Sequence, residues 1–568
     1  MNNRTYTLAF AALGLALALP LHAHAQSMSY DGSGKIDAGD DEGDGGDARD
    51  GRHGKGRSGK RVTVTPYLEA SQVATAELSP GSDFLTYTSL AAGVDAQFNG
   101  RNTNGAASVR YERRIGYGKA ADGDTVSGIA RVGVAVVPHA VNFEAGAMAA
   151  RSKVEANGSI VPGASLTGGG STQVWSVYAG PTIKAHAGDV AIDGGYRIGY
   201  TKVGTDSTIA TAVGGPSVDV FDHSTVHNAE LHLGTKAGTV LPVGVGAGGG
   251  YYQEDISNLD QRVKDLHGRV DVTLPLSRDL ALVGGVGYED VEISARDVQR
   301  DGSGNPVIGA NGRYVTDKSS PRVMAYDTSG FIWDAGVMWR PSRRTALEAH
   351  VGKRYGTTSY YGTFAYAPNR RMSLNVAVYD NIAGFGGQMN RALANLPTNF
   401  QANRNPLTGE LNTCLASVEG GNCLGNALGS VRSSTFRSRG VAASLGYDLG
   451  SLQAGIGLGY DRRKFIAAPG TILASANGVI DENYWMSAYL NGRIDSHSRF
   501  ATNVYATWFN SGFATAEDGT TLGASAAYYR NLTDHLTANL AVGIDGLNRE
   551  TLPDLWSASA LVGVRYSF

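Results

Sequence analysis

Charged side chains recur at every second position in many segments of this chain, and the spacing limits what chemistry they can do. In RYERR, Arg110, Glu112 and Arg114 share one face of an extended strand. Arg131, Glu144, Asp193, Arg197, His267, Arg269, Asp271, Glu348, His350, Arg354, Arg493, Asp495 and Arg565 stand in the same relation to the neighbours of their own segments. A packed core would bury such a face at large cost, so water must lie against it. Groups of both signs there can line a permeation path with no marked preference for anions or cations, or they can pair with one another and hold a wall. Alternation alone leaves both open.

Catalytic and ligand chemistry find less support. His267 and His350 have no serine partner that spacing identifies, and the chain lacks a G-x-S-x-G elbow, an H-E-x-x-H pair and a P-loop. No cofactor motif is expected, and no enzyme activity. Cys414 and Cys423, the only cysteines, sit close together in LNTCLASVEGGNC. In an exported chain such a pair reads as a disulfide stapling an extracellular loop, whereas a metal site wants more ligands nearby. The carboxylates of GDDEGDGGD fit neither an EF-hand loop nor a nonapeptide repeat, so that tract reads as linker.

The elements that position these groups alternate with period two. In the terminal LWSASALVGVRYSF, Trp556, Ala558, Ala560, Val562, Val564, Tyr566 and Phe568 face one way and a mostly polar set faces the other. HLTANLAVGID, SLQAGIGLGYDRR and LHGRVDVTL repeat the pattern. Tight links at 137–139, 187–189, 277–279, 341–343, 368–370, 449–451 and 532–534 alternate with long polar excursions near 156–171, 205–222, 298–320, 384–430 and 468–480. Greasy outer faces, wet inner faces and links that alternate in length predict an all-β fold, a transmembrane antiparallel up-and-down β-barrel of about 22 strands in a Gram-negative outer membrane. Phe568 then closes the last strand at the periplasmic rim, where it resembles the C-terminal aromatic signal read by the barrel-assembly machinery.

Three segments follow. Residues 1–25 have a basic start, an apolar run from Leu8 to Leu19 and the small-x-small site Ala23-His24-Ala25, and read as a signal peptide. A membrane anchor fits less well because the apolar run is short. Residues 26–60 are charged, glycine-rich and almost without apolar groups, a disordered periplasmic linker. Residues 61–568 are the barrel, and no run after residue 25 is long and apolar enough for a spanning helix. The 568-residue chain carries a net charge of only −3, which gives no footing for nucleic acid.

The stretch ALEAHVGKRYGTTSYYGTFAYAPNRRMSLNVAVYDNI, from Ala346 to Ile382, resembles a family of outer-membrane barrels associated with exopolysaccharide and PEP-CTERM export loci. Gly352, Arg354, Tyr355 and Gly356 precede a short reversal, and Asn369-Arg370-Arg371 opens an alternating strand; RVTVTPYLEA, from Arg61 to Ala70, is similar to the family's opening strand. The resemblance implies a barrel porin linked to surface polysaccharide, with outer-membrane lipid and periplasmic polysaccharide-export components as partners and no defined catalytic residues. A conduit for exopolysaccharide, a general or solute-specific porin and a structural or adhesive surface barrel are the function classes that remain. Inward Tyr252, Tyr489, Tyr505 and Tyr529 offer faces on which sugar rings stack, or they fill the interior. The inner-face glycines of VGVGAGGGYY mark either strong curvature or close approach of another chain.

Overall fold

The structure is a computed structural model that describes residues 61–568 apart from 155–157, 159, 163–170, 206–219, 413, 416–422, 426, 514–515, 517 and 551–552. The signal peptide and linker expected over residues 1–60 lie outside the described residues.

The period-two segments become strands β1 Arg61–Ser79, β2 Phe84–Asn99, β3 Thr103–Tyr117, β4 Gly123–Val137, β5 Val141–Val154, β6 Ile160–Pro162, β7 Ser171–Ala187 and β8 Val190–Thr205. There follow β9 His223–Thr235, β10 Gly244–Ile256, β11 Gln261–Pro275, β12 Leu280–Ala295, β13 Val323–Ser342, β14 Thr345–Arg354, β15 Thr357–Asn369 and β16 Met372–Ala383. The last are β17 Phe436–Asp448, β18 Leu452–Phe465, β19 Ile480–Arg493, β20 Ser498–Asn510, β21 Gly519–Asn531, β22 Leu536–Arg549 and β23 Leu555–Ser567. The short β6 pairs only with β5. The other 22 form one antiparallel ring. Each pairs with its neighbours in the chain, and β1 pairs with β23 from Tyr67 opposite Ser567 to Ser79 opposite Trp556. Closure leaves no unpaired edge, a requirement for backbone in hydrocarbon.

The tight links at 137–141, 187–190, 275–280, 342–345, 369–372, 448–452, 493–498 and 531–536 all fall on one rim, and the long excursions fall on the other. Both ends of the ring lie on the tight-link rim, as an even strand number demands. There the backbone N–H of Phe568 donates to the Pro66 carbonyl, and its ring meets Tyr566 edge-on at 5.0 Å. The outward faces carry exposed Leu231, Leu266, Val270, Val286, Val351, Leu458, Val542 and Val562. Aromatics flank this band, with Trp339, Tyr447, Tyr566 and Phe568 toward the tight-link rim and Tyr200, Tyr288, Tyr484 and Trp508 toward the other. An apolar belt between aromatic girdles is the surface that a bilayer covers, and the chain is a β-barrel of the Gram-negative outer-membrane type.

The long excursion between β16 and β17 does not stay outside. It opens with helix α1, Phe385–Ala394, and turns into the lumen. Phe385, Met389, Leu393, Leu396 and Phe400 are fully or almost fully buried, together with Ile129, Met148, Val174, Val203 and Phe221 of the wall side. The extracellular position expected for 384–430 is thereby corrected for its described residues. A solvated loop has no use for that many large apolar side chains, and the inside of the ring is where they leave water.

Candidate functional site

The site is the lumen itself, and it has a wall and a plug. Most of the predicted lumen residues of the wall lie in inward register and meet neighbouring side chains. Arg110 bridges Glu69 at 2.8 Å and Glu112 at 3.0 Å, and Glu112 also holds Arg114 at 2.7 Å. Arg131 meets Glu144 at 2.9 Å and the Tyr178 hydroxyl at 2.8 Å, while Arg197 lies over the Tyr178 ring. Asp193 occupies the same inward register of β8 as Arg197. His232 contacts Asp271 at 2.9 Å; His350 sits between Asp334 at 2.9 Å and Glu348 at 3.1 Å and stacks on Tyr361. Arg269 contacts Asp334 at 3.2 Å, Arg354 contacts Asp265 at 2.8 Å and donates to His267 at 3.0 Å, and Arg565 meets Asp95 at 2.9 Å.

Two of the predicted positions need correction. Asp495 is not on the wall: it lies in the β19–β20 turn, where its carboxylate accepts the backbone N–H groups of His497 at 2.7 Å and Ser498 at 2.8 Å. Arg493, the last residue of β19, is exposed at the rim. The alternation stops where the strand does, so counting past its end put a turn residue inside.

The inner-face glycines have a local reason. A Cβ on Gly246 would stand 2.6 Å from His232 Nε2, and one on Gly250 would stand 2.6 Å from the His267 ring. These glycines therefore make room for neighbouring histidines. The four inward tyrosines are also engaged: Tyr252 donates to Glu254 at 2.8 Å, Tyr505 to Asp545 at 2.7 Å, Arg499 lies over Tyr529, and Tyr489 is buried.

The plug is formed by the described residues between 384 and 435, and its sequence explains how it seats. Glu254 of β10, fully buried, accepts the backbone N–H groups of Gly384 at 2.7 Å and Gly387 at 2.8 Å. A carboxylate at a helix N-terminus satisfies donors that have no partner within the helix and complements the helix dipole. The approach is close because a side chain on Gly386 would overlap the Ser224 hydroxyl and one on Gly387 the Tyr252 hydroxyl. Farther along α1, Asn390 donates to the Val177 carbonyl at 3.0 Å.

Beyond α1 a hairpin at 403–412 crosses to the wall formed by β1, β3 and β21–β23. Asn405 receives the backbone N–H of Gly409 on its carbonyl at 2.8 Å and donates its own to the Glu410 carbonyl at 2.9 Å. Gly409 has φ +70°, a conformation that favours glycine, and a Cβ there would stand 2.5 Å from Arg110 Nε. Leu407 is buried with Val73, Ala527, Ala541 and Leu561. Glu410 is buried beside β5 and accepts the Arg151 backbone N–H at 3.2 Å. Burial pushes its carboxyl up to about 7, against the partial opposing pull of the Arg114 and Arg151 charges.

The plug then returns along β18 and β19. Cys414 and Cys423 are joined, with Cα atoms 4.0 Å apart. The pair lies against the inner wall rather than in an external loop: Cys414 is buried, and a Cβ on Gly457 of β18 would stand 2.6 Å from its Sγ. Gly425 covers the ring of Trp485, Arg463 donates to the Ser430 carbonyl at 2.9 Å, and Arg432 bridges to Val220 before β17 begins.

Sequence reasoning missed the residues that seat the plug, Glu254, Leu407, Gly409 and Glu410. Two signals were available: GFGGQMN ahead of ALANL reads as a helix start, and NPLTG reads as a turn between residues that can pair. Among the described residues no group of three or more potential metal ligands comes together.

No family model and no curated protein matches this chain. Among solved structures it is similar to the FrpB iron transporter of Neisseria meningitidis, with 11% identity and a TM-score of 0.42 over 88% of this chain and 81% of that one. It is also similar to the ferric-catecholate import receptor Fiu of E. coli K12, with 10% identity and a TM-score of 0.39 over 88% and 81%. The ferric yersiniabactin uptake receptor FyuA of Yersinia pestis gives 11% and 0.38 over 89% and 80%. Likeness at this level carries no inference about ligand or detail of fold.

Proposed function

We propose that the protein is a gated outer-membrane conduit that passes a surface polysaccharide, with the 384–435 segment as the gate. The observation that carries this reading is the seating of that segment inside a 22-stranded ring. A ring of this size is wider than small-solute diffusion needs, and left open it would breach the membrane as a barrier. The segment joins β16 to β17 at the long-loop rim, so it can leave the lumen without breaking a wall strand.

Its two ends are held differently. Large apolar side chains bury the α1 end, whereas the 403–412 hairpin rests on hydrogen bonds and two apolar side chains, Leu407 and Leu411. The hairpin is the part that can withdraw at modest cost. The resemblance of Ala346–Ile382 to barrels of exopolysaccharide loci favours a polysaccharide as the cargo, and periplasmic export components as the partners that deliver it. The paired wall charges serve as a solvated lining once the hairpin leaves.

Deleting the gene in its host and complementing it tests the reading. Surface polysaccharide falls on deletion and returns with the intact gene, while uptake of small nutrients stays nearly unchanged. Normal polysaccharide output with impaired uptake of a nutrient replaces the conduit with a porin.

A further inference from the structure

The lumen wall has two unlike sectors. From β3 to β14 its inner face is a ladder of paired charges, as the ion pairs of Arg110, Arg131, Arg269 and His350 illustrate. From β19 to β21 the middle of the inner face carries instead Asn483, Trp485, Ser487, Asn503 and Tyr505, amides, hydroxyls and aromatic rings, and the nearby carboxylates are engaged, Asp545 by the Tyr505 hydroxyl at 2.7 Å and Asp481 by Arg432 at 3.7 Å.

Trp485 stands out. The chain has six tryptophans. Trp333, Trp339 and Trp508 are exposed on the outer face, Trp175 and Trp556 are partly exposed, and Trp485 alone is buried on the inner one. A lipid-facing tryptophan is ordinary in a barrel girdle. An inward one is not explained by the bilayer, and here its ring is covered by a glycine of the plug, Gly425, with no side chain between them.

The polar groups around it are incompletely matched. Asn483 is 3% exposed and its Oδ1 has no hydrogen-bond partner among the described residues. Among the described residues Asn503 is matched through the plug, where its Oδ1 accepts from Asn412 Nδ2 at 2.7 Å. Asn412, Gly425, Asn483, Trp485, Ser487 and Asn503 together line one narrow cavity between plug and wall. A buried amide oxygen without a donor is costly, and hydroxyl groups are the donors that fit. A flat ring faced by a small residue and ringed by amides is the chemistry that accepts one face of a sugar and the hydroxyls at its edge.

We propose that this sector of the lumen is a track for uncharged saccharide rings, with Trp485 as its stacking platform and Asn483 and Asn503 as its hydroxyl partners. The plug holds the track in the closed state, Gly425 on the indole face and Asn412 on Asn503, and the saccharide takes these places as the plug withdraws. The inference rests on the conduit reading and narrows its cargo to a neutral glycan. An acidic polymer would need freely presented cations, whereas Arg110, Arg114, Arg131 and Arg269 each have a carboxylate partner and Arg197 and Arg499 lie over the Tyr178 and Tyr529 rings.

The test is affinity electrophoresis of the detergent-solubilised full chain through gels containing a neutral glucan or, at equal mass, polygalacturonate. The neutral glucan retards the protein and polygalacturonate does not. Trp485→Ala and Asn503→Ala each weaken the retardation about tenfold, whereas Arg278→Ala, in the exposed tight link between β11 and β12, leaves it unchanged; heat-modifiable migration verifies that every variant is a folded barrel. Equal or stronger retardation by polygalacturonate, no retardation by the glucan, or an unchanged Trp485→Ala variant overturns the track. Failure of the conduit reading is seen separately, as normal surface polysaccharide in the deletion strain.

Discussion

Replacing Glu410 by glutamine should remove a pH dependence from the gate. Glu410 is 5% exposed in the seated hairpin, and its carboxyl is raised from 4.5 to about 7, first by burial and secondarily by Glu112, while Arg114, the Arg151 backbone N–H and the Arg151 charge pull the other way. A carboxyl whose pKa rises on seating holds its proton more tightly there than when withdrawn. Seating is therefore strongest below about pH 4.5 and weakens as pH climbs, with the whole loss in place once pH exceeds about 7. At about 1.4 kcal/mol per pKa unit, the difference amounts to about 3 kcal/mol, on the order of a hundredfold in the ratio of seated to withdrawn hairpin. Glutamine keeps the shape and cannot ionise. Single-channel recording in planar bilayers from about pH 5 to about pH 8.5 reads the effect: open probability rises with pH in the native protein, while Glu410→Gln stays closed across the range. A native curve that falls as pH rises, or a Glu410→Gln curve that follows the native one, would refute the assignment of the switch to this carboxyl.

Leu407→Ala removes one of the hairpin's two apolar anchors, and a loss of about 2–3 kcal/mol in seating should appear as a higher open probability with unchanged heat-modifiable migration. Gly457→Val places side-chain atoms where the Cys414 and Cys423 sulfurs pack, so limited proteolysis of the solubilised protein should cut within 403–430 faster than in the native chain. Equal cutting rates would show that the disulfide does not need that wall position. Deleting Phe568 takes away the last outward aromatic and its backbone bond to Pro66, and heat-modifiable barrel in outer-membrane fractions should fall several-fold.

The wall was legible because a barrel in a membrane is specified locally. Lipid on one side and water on the other impose a period of two on every strand, so Leu540, Val542 and Ile544 declare their outward face without reference to any distant residue. Closure and even strand number follow from backbone hydrogen bonding in hydrocarbon, and the terminal phenylalanine finds its place as a consequence. The partners of the inward charges were not legible. Arg110 chooses Glu69 and Arg354 chooses Asp265 across strands whose mutual stagger no sequence pattern states.

The plug shows the sharper division. Its glycines, polar residues and cysteine pair are what an external loop also contains, and its apolar residues lack a period long enough to announce an interior. Only the closed ring supplies a cavity where Phe385, Met389 and Leu407 can leave water, a Glu254 carboxylate to meet the start of α1, and an inner wall against which the Cys414–Cys423 bridge packs. The sequence by itself determined which face of each strand meets lipid, because that depends on a residue and its near neighbours. Whether the lumen is open or filled was decided by tertiary structure, because burial inside a ring depends on strands that lie hundreds of residues apart and meet only when the ring closes.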